Sequence, residues 1–368
     1  MILIVSTYRD FHAFAVQWAL RRMGVECKIL DLFRVVAGGS VTLDVVRGHL
    51  EWTCPRTESV ESVSLHDIDC VWMRRGNREF DVSRVHNLDR EVVQREVISL
   101  ARGIEAWVGR SVPAINSPYS LGVADQKLVQ LTEAAKVGLT VPPTLMSNEP
   151  NRVREFVRSH AATIFKPFHQ NAWSALLDDG NYAQRAAIVT PADLHDATAI
   201  ALCPGIYQPL ITKRHELRVT VCGDDMVVAR LESQFDEETA VDWRHDYTQQ
   251  MPILPDELPD AVRQRIGDLM ANLGLRFGCI DLVIDTAGDY VFLEINQQGQ
   301  FLWLELRNRD IRLLQHFCAF LCREGGVPFD AVPLSIHDYM DSSDSQGDLD
   351  LRASYYAYDR LHAPERVI

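Results

Sequence analysis

The chain opens on an unbroken apolar run, Ile2-Leu3-Ile4-Val5, closed by Ser6, the pattern of a strand buried on both faces. Asp10 to Met23 then reads as a helix with Gly24 at its stop position, and Val25 to Leu30 as the next strand. Val41 to Val46 and His49 to Thr53 are short β segments about an Arg47-Gly48 turn. Asp69 to Met73 predicts a further strand ending in Arg74-Arg75-Gly76, Asp89 to Gly109 predicts a helix, and residues 114–118 close the unit. Strands alternating with helices predict a mostly parallel sheet. Neither G-x-G-x-x-G nor G-x-x-x-x-G-K-[ST] occurs, which excludes the dinucleotide fingerprint and the P-loop.

A second unit begins near Pro118. Ala124 to Lys136 predicts a helix stopped by Gly138, followed by the extended connector Val141-Pro142-Pro143-Thr144. Asn151 to Ser159 reads as helix and Ala162 to Lys166 as strand, and Asp178-Asp179-Gly180 marks a turn between two extended pieces within 171–187. Pro191 to Ala201 is helical in pattern. From Ile206 the pattern becomes antiparallel: Ile206 to Ile211, Glu216 to Cys222 and Met226 to Glu232, with Gly223-Asp224-Asp225 as a tight turn. Pro259 to Leu273 predicts a helix, Cys279 to Asp285 with Tyr290 to Ile295 a hairpin, and Arg309 to Glu324 a closing amphipathic helix. Asp338, Asp341, Asp344, Asp348 and Asp350 then follow with serines among them and no basic residue, the composition of a solvated, mobile tail.

Composition narrows the partners. The formal net charge is -14 over 368 residues, which disfavours binding to a phosphate backbone. No apolar run is long enough to span a bilayer, and the N-terminal segment lacks the basic start of a signal peptide. The eight cysteines are scattered without a C-x-x-C pair, as in a protein of the reducing cytoplasm, and Cys318 and Cys322 read as core. The expectation is a cytoplasmic protein without nucleic-acid or membrane partners.

The sharpest chemical feature is the last hairpin. Residues two apart in a strand share a face, so Glu294 and Asn296 point one way and Leu293 and Ile295 toward the core. Pairing of Asp285 with Tyr290 sets Asp281 opposite Glu294. Two carboxylates and an amide oxygen in one patch require a cation, and an all-oxygen set suits Mg²⁺ with phosphates completing its shell. Lys166 emerges from the apolar strand Thr163-Ile164-Phe165, and Arg218 lies within Leu217-Arg218-Val219, so both need anions. Lys127 lies on the first helix of the second unit. Tyr207-Gln208-Pro209-Leu210 is a strand entering a turn, suited to present backbone groups to an adenine edge.

The order Lys127, Lys166, Gln208-x-Leu210, Glu216-Leu217-Arg218, Asp281, Glu294-x-Asn296 resembles the ATP-grasp superfamily. The run from Val291 to Glu305, with Glu294-Ile295-Asn296-Gln297-Gln298-Gly299-Gln300 at its centre, is similar to the signature of its ribosomal-peptide maturases, the microviridin or graspetide macrocyclases. Their usual Pro near Gln297 is absent here. Val241-Asp242-Trp243-Arg244 and Lys213-x-x-Glu216 also look like that family. Asp10-x-His12 and Val71-Trp72-Met73-Arg74-Arg75 resemble its pre-ATP-grasp domain.

This resemblance implies an α/β and α+β fold: a pre-ATP-grasp α/β domain over 1–117, then an ATP-grasp fold whose two α+β subdomains, 118–205 and 206–330, clamp ATP, with a tail over 331–368. It implies Mg²⁺ on Asp281, Glu294 and Asn296, and phosphates on Lys127 and Lys166. Gln208 and Leu210 would line the adenine pocket, with Glu216 at the ribose and Arg218 at the transferred phosphoryl group. Lys213, Arg214 and Arg244 would receive the acidic core of a precursor peptide, Arg244 also joining Arg218 and Lys166 in the catalytic set. Residues 168–190 would form a lid, Gly299 a tight turn and Trp303 packing. The partner implied is a ribosomal precursor peptide with leader and core, and the assembly a homodimer. Two other readings share these residues. One is a ligase adding an amino acid to a small molecule or protein terminus; the other is a nucleotide-binding scaffold without turnover.

Overall fold

A computed structural model of the chain describes residues 1–8, 10–32, 39–53, 59–75, 85–168, 172–174, 181–183, 186–237, 239–246 and 249–349. The first unit runs β1 (Ile2–Val5), α1 (Phe11–Arg22), β2 (Cys27–Leu30), β3 (Val41–Asp44), β4 (His49–Thr53), β5 (Val60–Ser64), β6 (Cys70–Met73), α2 (Arg90–Ser111) and β7 (Ala114–Ile115). The order β2-β1-β6-β7 is parallel throughout. That agrees with apolar strands covered on both faces, and β1 is fully buried. Asp10 caps α1 by accepting from the His12 N–H, and Gly24 leaves the helix with φ of 75°. A separate antiparallel sheet, β3-β4-β5, adds a strand that the residue pattern did not predict.

The second unit supplies α3 (Pro118–Ala124), α4 (Lys127–Lys136), β8 (Leu145–Ser147), α5 (Pro150–Arg158), β9 (Thr163–Lys166), β10 (Ala172–Ser174), β11 (Asn181–Ala183), β12 (Ala187–Val189), α6 (Ala197–Leu202) and β13 (Gly205–Pro209). The helix expected from Ala124 begins at Lys127, because Gln126 turns extended, and a separate helix, α3, ends at Ala124. The extended pieces β10 and β11 pair antiparallel, while Asp178-Asp179-Gly180 between them lies outside the described residues. β13 belongs to the sheet β12-β9-β13-β8. The chain therefore leaves this sheet after Pro209, one strand beyond the boundary expected at 205/206.

The third unit holds β14 (Lys213–Cys222), β15 (Asp225–Leu231), β16 (Ile253–Asp256), α7 (Asp260–Asn272), β17 (Phe277–Asp285), β18 (Tyr290–Asn296), α8 (Leu302–Arg307), α9 (Leu314–Gly325) and α10 (Ile336–Met340). Its five strands pair antiparallel in the order β16-β15-β14-β17-β18. Leu217, Val219, Val221, Ile280, Leu282, Phe292 and Ile295 pack in one core with residues of α7 and α4. Glu216, Arg218 and Thr220 alternate with these along β14, so the polar face is turned to the other side. The closing helix starts at Leu314 rather than Arg309, with the short α8 placed before it.

The first part of the expected mobile tail is built into the core. Ile336 and Tyr339 are buried, Tyr339 meets Trp18 edge-on and Phe11 at a tilt, and its hydroxyl donates to Asp348 at 2.8 Å. Asp338 completes a capping box with Ser335. Asp338 and Asp348, two of the acids that suggested a solvated tail, thus serve as a cap and an acceptor between apolar anchors.

Candidate active site

The polar face of the five-stranded sheet carries a row of paired residues. Arg218 lies opposite Asp281, and Asp281 opposite Glu294. One step along, Thr220 is opposite Cys279 and Cys279 opposite Asn296. The Asp281–Glu294 pairing arises differently from the expected route. Ile284, not Asp285, pairs with Tyr290, and a bulge between Asp281 and Leu282 restores the register at Glu294. The extra residue is Leu293. It faces the cleft, while Phe292 takes the core position assigned to it from the sequence.

Above this row lies a cleft of about 220 Å³. It is lined from the other sheet by Lys166, Ile206 and Gln208, from α4 by Lys127 and Leu131, and from the polar face by Glu216, Asp281, Glu294 and Asn296. Arg244 and Asp242 enter from the loop before β16. Arg218 is buried beneath, donating to Asp281 at 2.7 Å and to the Gln300 carbonyl at 3.2 Å. Leu210 is outside the lining, its N–H bonded to the Ala162 carbonyl. Lys213, brought round by a bulge, donates to Glu216 at 2.6 Å and to the Val241 carbonyl at 3.2 Å. Arg214 is exposed and bonds the Thr286 carbonyl at the far hairpin turn.

The charges in the cleft neutralise one another. Arg244 Nη2 bridges Asp281 at 3.1 Å and Glu294 at 2.8 Å, and its Nη1 reaches Asp242 at 3.3 Å. Lys127 donates to the second Glu294 oxygen at 2.7 Å. Burial pushes the Glu294 carboxyl up, but Lys127 and Arg244 together outweigh it and hold it well below the carboxylate range. Burial raises Glu216 in spite of Lys213, and burial lowers the Lys166 ammonium against the pull of Glu294. Trp243 stacks on Trp303, ring centroids 4.7 Å apart at 13°, and the Arg244 guanidinium lies 5.1 Å from the Trp243 ring centroid. Trp303 therefore packs, as expected, and does so against the loop that carries Arg244.

A guanidinium bridging two carboxylates occupies the electrostatic place of a divalent cation. Asp281, Glu294 and Asn296 form an all-oxygen set with too few protein ligands to enclose a metal, which fits Mg²⁺ sharing phosphate oxygens. The cleft also fits a nucleobase. Leu131, Phe168, Ile206 and Leu293 are apolar, and Gln208 Oε1 is buried with no hydrogen-bond partner among the described residues.

Several positioning groups escaped the sequence reading. Gln130 on α4 donates to the Ile295 carbonyl at 2.8 Å and accepts its N–H at 3.0 Å, standing in for a strand beside β18. Asn116 does the same for Phe277, and Gln297 bonds Asp125. The available signal was an amide inside the apolar stretch Leu128-Val129-Gln130-Leu131. Gly299 lacks a positive φ; a Cβ there would come within 2.8 Å of the Cys279 side chain and 3.1 Å of Arg218. It closes the turn from Asn296 and is required for close approach.

No protein-family model and no curated protein matches the sequence. Solved structures do. A RiPP-associated ATP-grasp ligase of Chryseobacterium gregarium, in complex with ADP and a leader and core peptide, is similar at 23% identity and a TM-score of 0.78, over 90% of this chain and 99% of that one. The macrocyclase MdnC of Microcystis aeruginosa MRC, bound with precursor peptide MdnA, matches at 27% identity and a TM-score of 0.77, over 88% and 99%. The macrocyclase MdnB of the same organism matches at 26% and 0.70, over 87% and 98%.

Proposed function

We propose that this chain, which has the ATP-grasp ligase fold, is an ATP-dependent macrocyclase that joins Asp or Glu side chains of a ribosomal precursor peptide to Ser or Thr hydroxyls or Lys amines. The observation that carries this is the row Arg218–Asp281–Glu294 with Arg244 bridging its two acids, at the floor of a cleft between two sheets. The kinship with macrocyclases over almost their whole length adds the substrate class.

In this reading Asp281, Glu294 and Asn296 would hold Mg²⁺, which would neutralise charge on the phosphates. Lys127 and Lys166 pair with phosphate oxygens. Gln208 Oε1 accepts from the adenine amine, and Leu293 and Ile206 flank the ring in place of Leu210. Glu216, balanced by Lys213, faces the ribose. Arg218 keeps Asp281 oriented close to the transferred group. With Mg²⁺ held by Asp281 and Glu294, Arg244 would no longer be needed to bridge them, and its guanidinium would be available to the peptide carboxylate. The carboxylate oxygen takes the terminal phosphoryl group as ADP leaves. The hydroxyl or amine then attacks the acyl carbon, losing its proton as phosphate departs. Residues around Phe168 and Ala186, which line the cleft, belong to the segment that would close over the activated acyl group. The domains are 1–117, a nucleotide-clamping pair meeting between Pro209 and Lys213, and a C-terminal helical closure. The reading includes a homodimer acting in the cytoplasm, where the six cysteines buried among the described residues would stay reduced.

The test is mass spectrometry of a precursor peptide rich in Thr, Lys, Asp and Glu after incubation with enzyme and Mg·ATP. Loss of whole waters, dependent on ATP, is expected. Asp281→Asn and Glu294→Gln should each lower turnover by about 10²-fold or more with folding intact. An unchanged peptide beside amino-acid-stimulated ADP release would replace this reading with a small-molecule ligase.

A further inference from the structure

The segment that follows β18 is held by the N-terminal unit through polar groups that the reaction itself does not use. His12 is buried, and its Nε2 accepts the N–H groups of Phe301 at 3.1 Å and Leu302 at 3.3 Å. An acceptor nitrogen must be unprotonated, and burial together with Arg74 lowers the His12 pKa to about 4. Arg74, only 1% exposed, donates from Nη1 to the carbonyls of Gln298 and Gly299. Its Nε pairs with Asp10 at 2.9 Å, and Asp10 also accepts from Ser6 at 3.0 Å. The backbone on both sides of Gln300 is thus fixed from the N-terminal unit. The Gln300 carbonyl itself receives Arg218 Nη2, whose Nη1 holds Asp281.

Packing alone does not account for this choice of residues. A buried Arg–Asp pair costs several kcal/mol of desolvation and is often replaceable by apolar side chains without loss of stability. What apolar groups cannot do is fix two carbonyls and two N–H groups at once. Gly299 leaves no slack, since even a Cβ would crowd Arg218 and Cys279.

We infer that Asp10, His12 and Arg74 are positioning residues for the metal site, acting through residues 298–302 and Arg218 on the orientation of Asp281. This rests on the assignment of Asp281 as a metal ligand in the proposed function. It gives the N-terminal unit a part in the reaction that its distance in sequence from Asp281 conceals.

The experiment titrates Mg²⁺ into full-length enzyme saturated with ADP, by calorimetry, in wild type, His12→Phe and His12→Gln. Phe removes the acceptor, while Gln keeps an oxygen near the place of Nε2. Outer-shell partners typically change metal affinity 10–100-fold, so His12→Phe should weaken Mg²⁺ about ten-fold while metal-free ADP binding stays within about two-fold. His12→Gln should recover most of the loss. Equal Mg²⁺ affinity in all three proteins, with only a lower melting temperature for His12→Phe, would overturn the inference. Where His12→Phe does not fold, amide exchange in the wild type decides. Coupling is reciprocal, so Mg·ADP must slow exchange at Phe301 and Leu302, and unchanged exchange there overturns the relay. No peptide is needed. A wild type that binds Mg²⁺ with ADP yet leaves every peptide unmodified removes the macrocyclase reading and leaves the relay standing. A wild type that binds no Mg²⁺ with ADP removes both.

Discussion

At the scale of single residues, the site is a set of buried ionisable groups, each facing one of opposite sign. Arg244 and Lys127 hold Glu294 ionised, Lys213 accompanies Glu216, and Arg218 lies on Asp281. His12 is the exception, a buried imidazole kept neutral so that it can accept. Its folded pKa of about 4 lies below the unfolded value of 6.5. Between these values the unfolded chain takes up a proton that the folded chain refuses. Stability therefore falls as pH drops from about 6.5 toward about 4, and the loss is complete below that. At pH 5 the contribution is roughly 2 kcal/mol relative to neutral pH. Burial opposes ionisation of Asp10, but Arg74 and His12 outweigh it and hold its carboxyl well below the usual range, so its own contribution is lost only at still lower pH. Urea midpoints at pH 7 and pH 5 should therefore differ less in His12→Gln than in wild type. An equal difference would show that His12 is not the buried neutral group.

At the scale of elements, β18 matters most because it is an edge strand that carries two of the three proposed metal ligands. An edge offers unpaired backbone groups that tend to fray or to recruit another strand. Here Gln130 pairs with Ile295, between Glu294 and Asn296, and the Phe292 N–H donates to the Thr140 carbonyl. Gln130→Leu would leave the Ile295 N–H and carbonyl without partners, at a cost of about 1–3 kcal/mol. Thermal unfolding should show that loss, and ADP release should fall with it because the ligands on either side lose their register. A variant that melts lower but turns over at the wild-type rate would limit Gln130 to stability.

At the scale of the whole molecule, residues far apart in sequence share one core. Phe14, Trp72, Phe301, Phe317 and Tyr339 belong to a single cluster that joins the first unit, the segment after β18 and α10. Glu305, fully buried, accepts from the N–H groups of Leu313, Leu314 and Ile336, tying α8 to α9 and α10. A chain ended at Val332 loses Ile336 and Tyr339 from this cluster and a partner of Glu305. It should be less stable by about 3 kcal/mol or more, measured by denaturant unfolding. A chain ended at residue 349 keeps every one of these contacts. Equal stability of the two truncated chains would contradict the core assigned here.

Much of this was legible from local pattern. The parallel sheet of the first unit, the helices at their Gly stops and the antiparallel run from Glu216 follow from periodicity and turn chemistry, which act over a few residues. The meeting of Asp281 with Glu294 was legible too, because a hairpin brings sequence neighbours together. The phase of β18 was not: a bulge costs little locally and is decided by which side chain the core of α4 and α7 accepts, here Phe292 instead of Leu293. The first part of the tail was misjudged for the same reason, since Ile336 and Tyr339 are buried against α1 and α8, which are remote in sequence or set by tertiary packing. The amides of Gln130 and Asn116, and the reach of His12 to Phe301, span more than 150 residues. Charge, composition and the alternation of strands and helices in the first unit were determined by the sequence alone. Which buried donor meets which acceptor was decided only by the tertiary structure, because hydrogen bonds are short and directional and no local pattern records their partners.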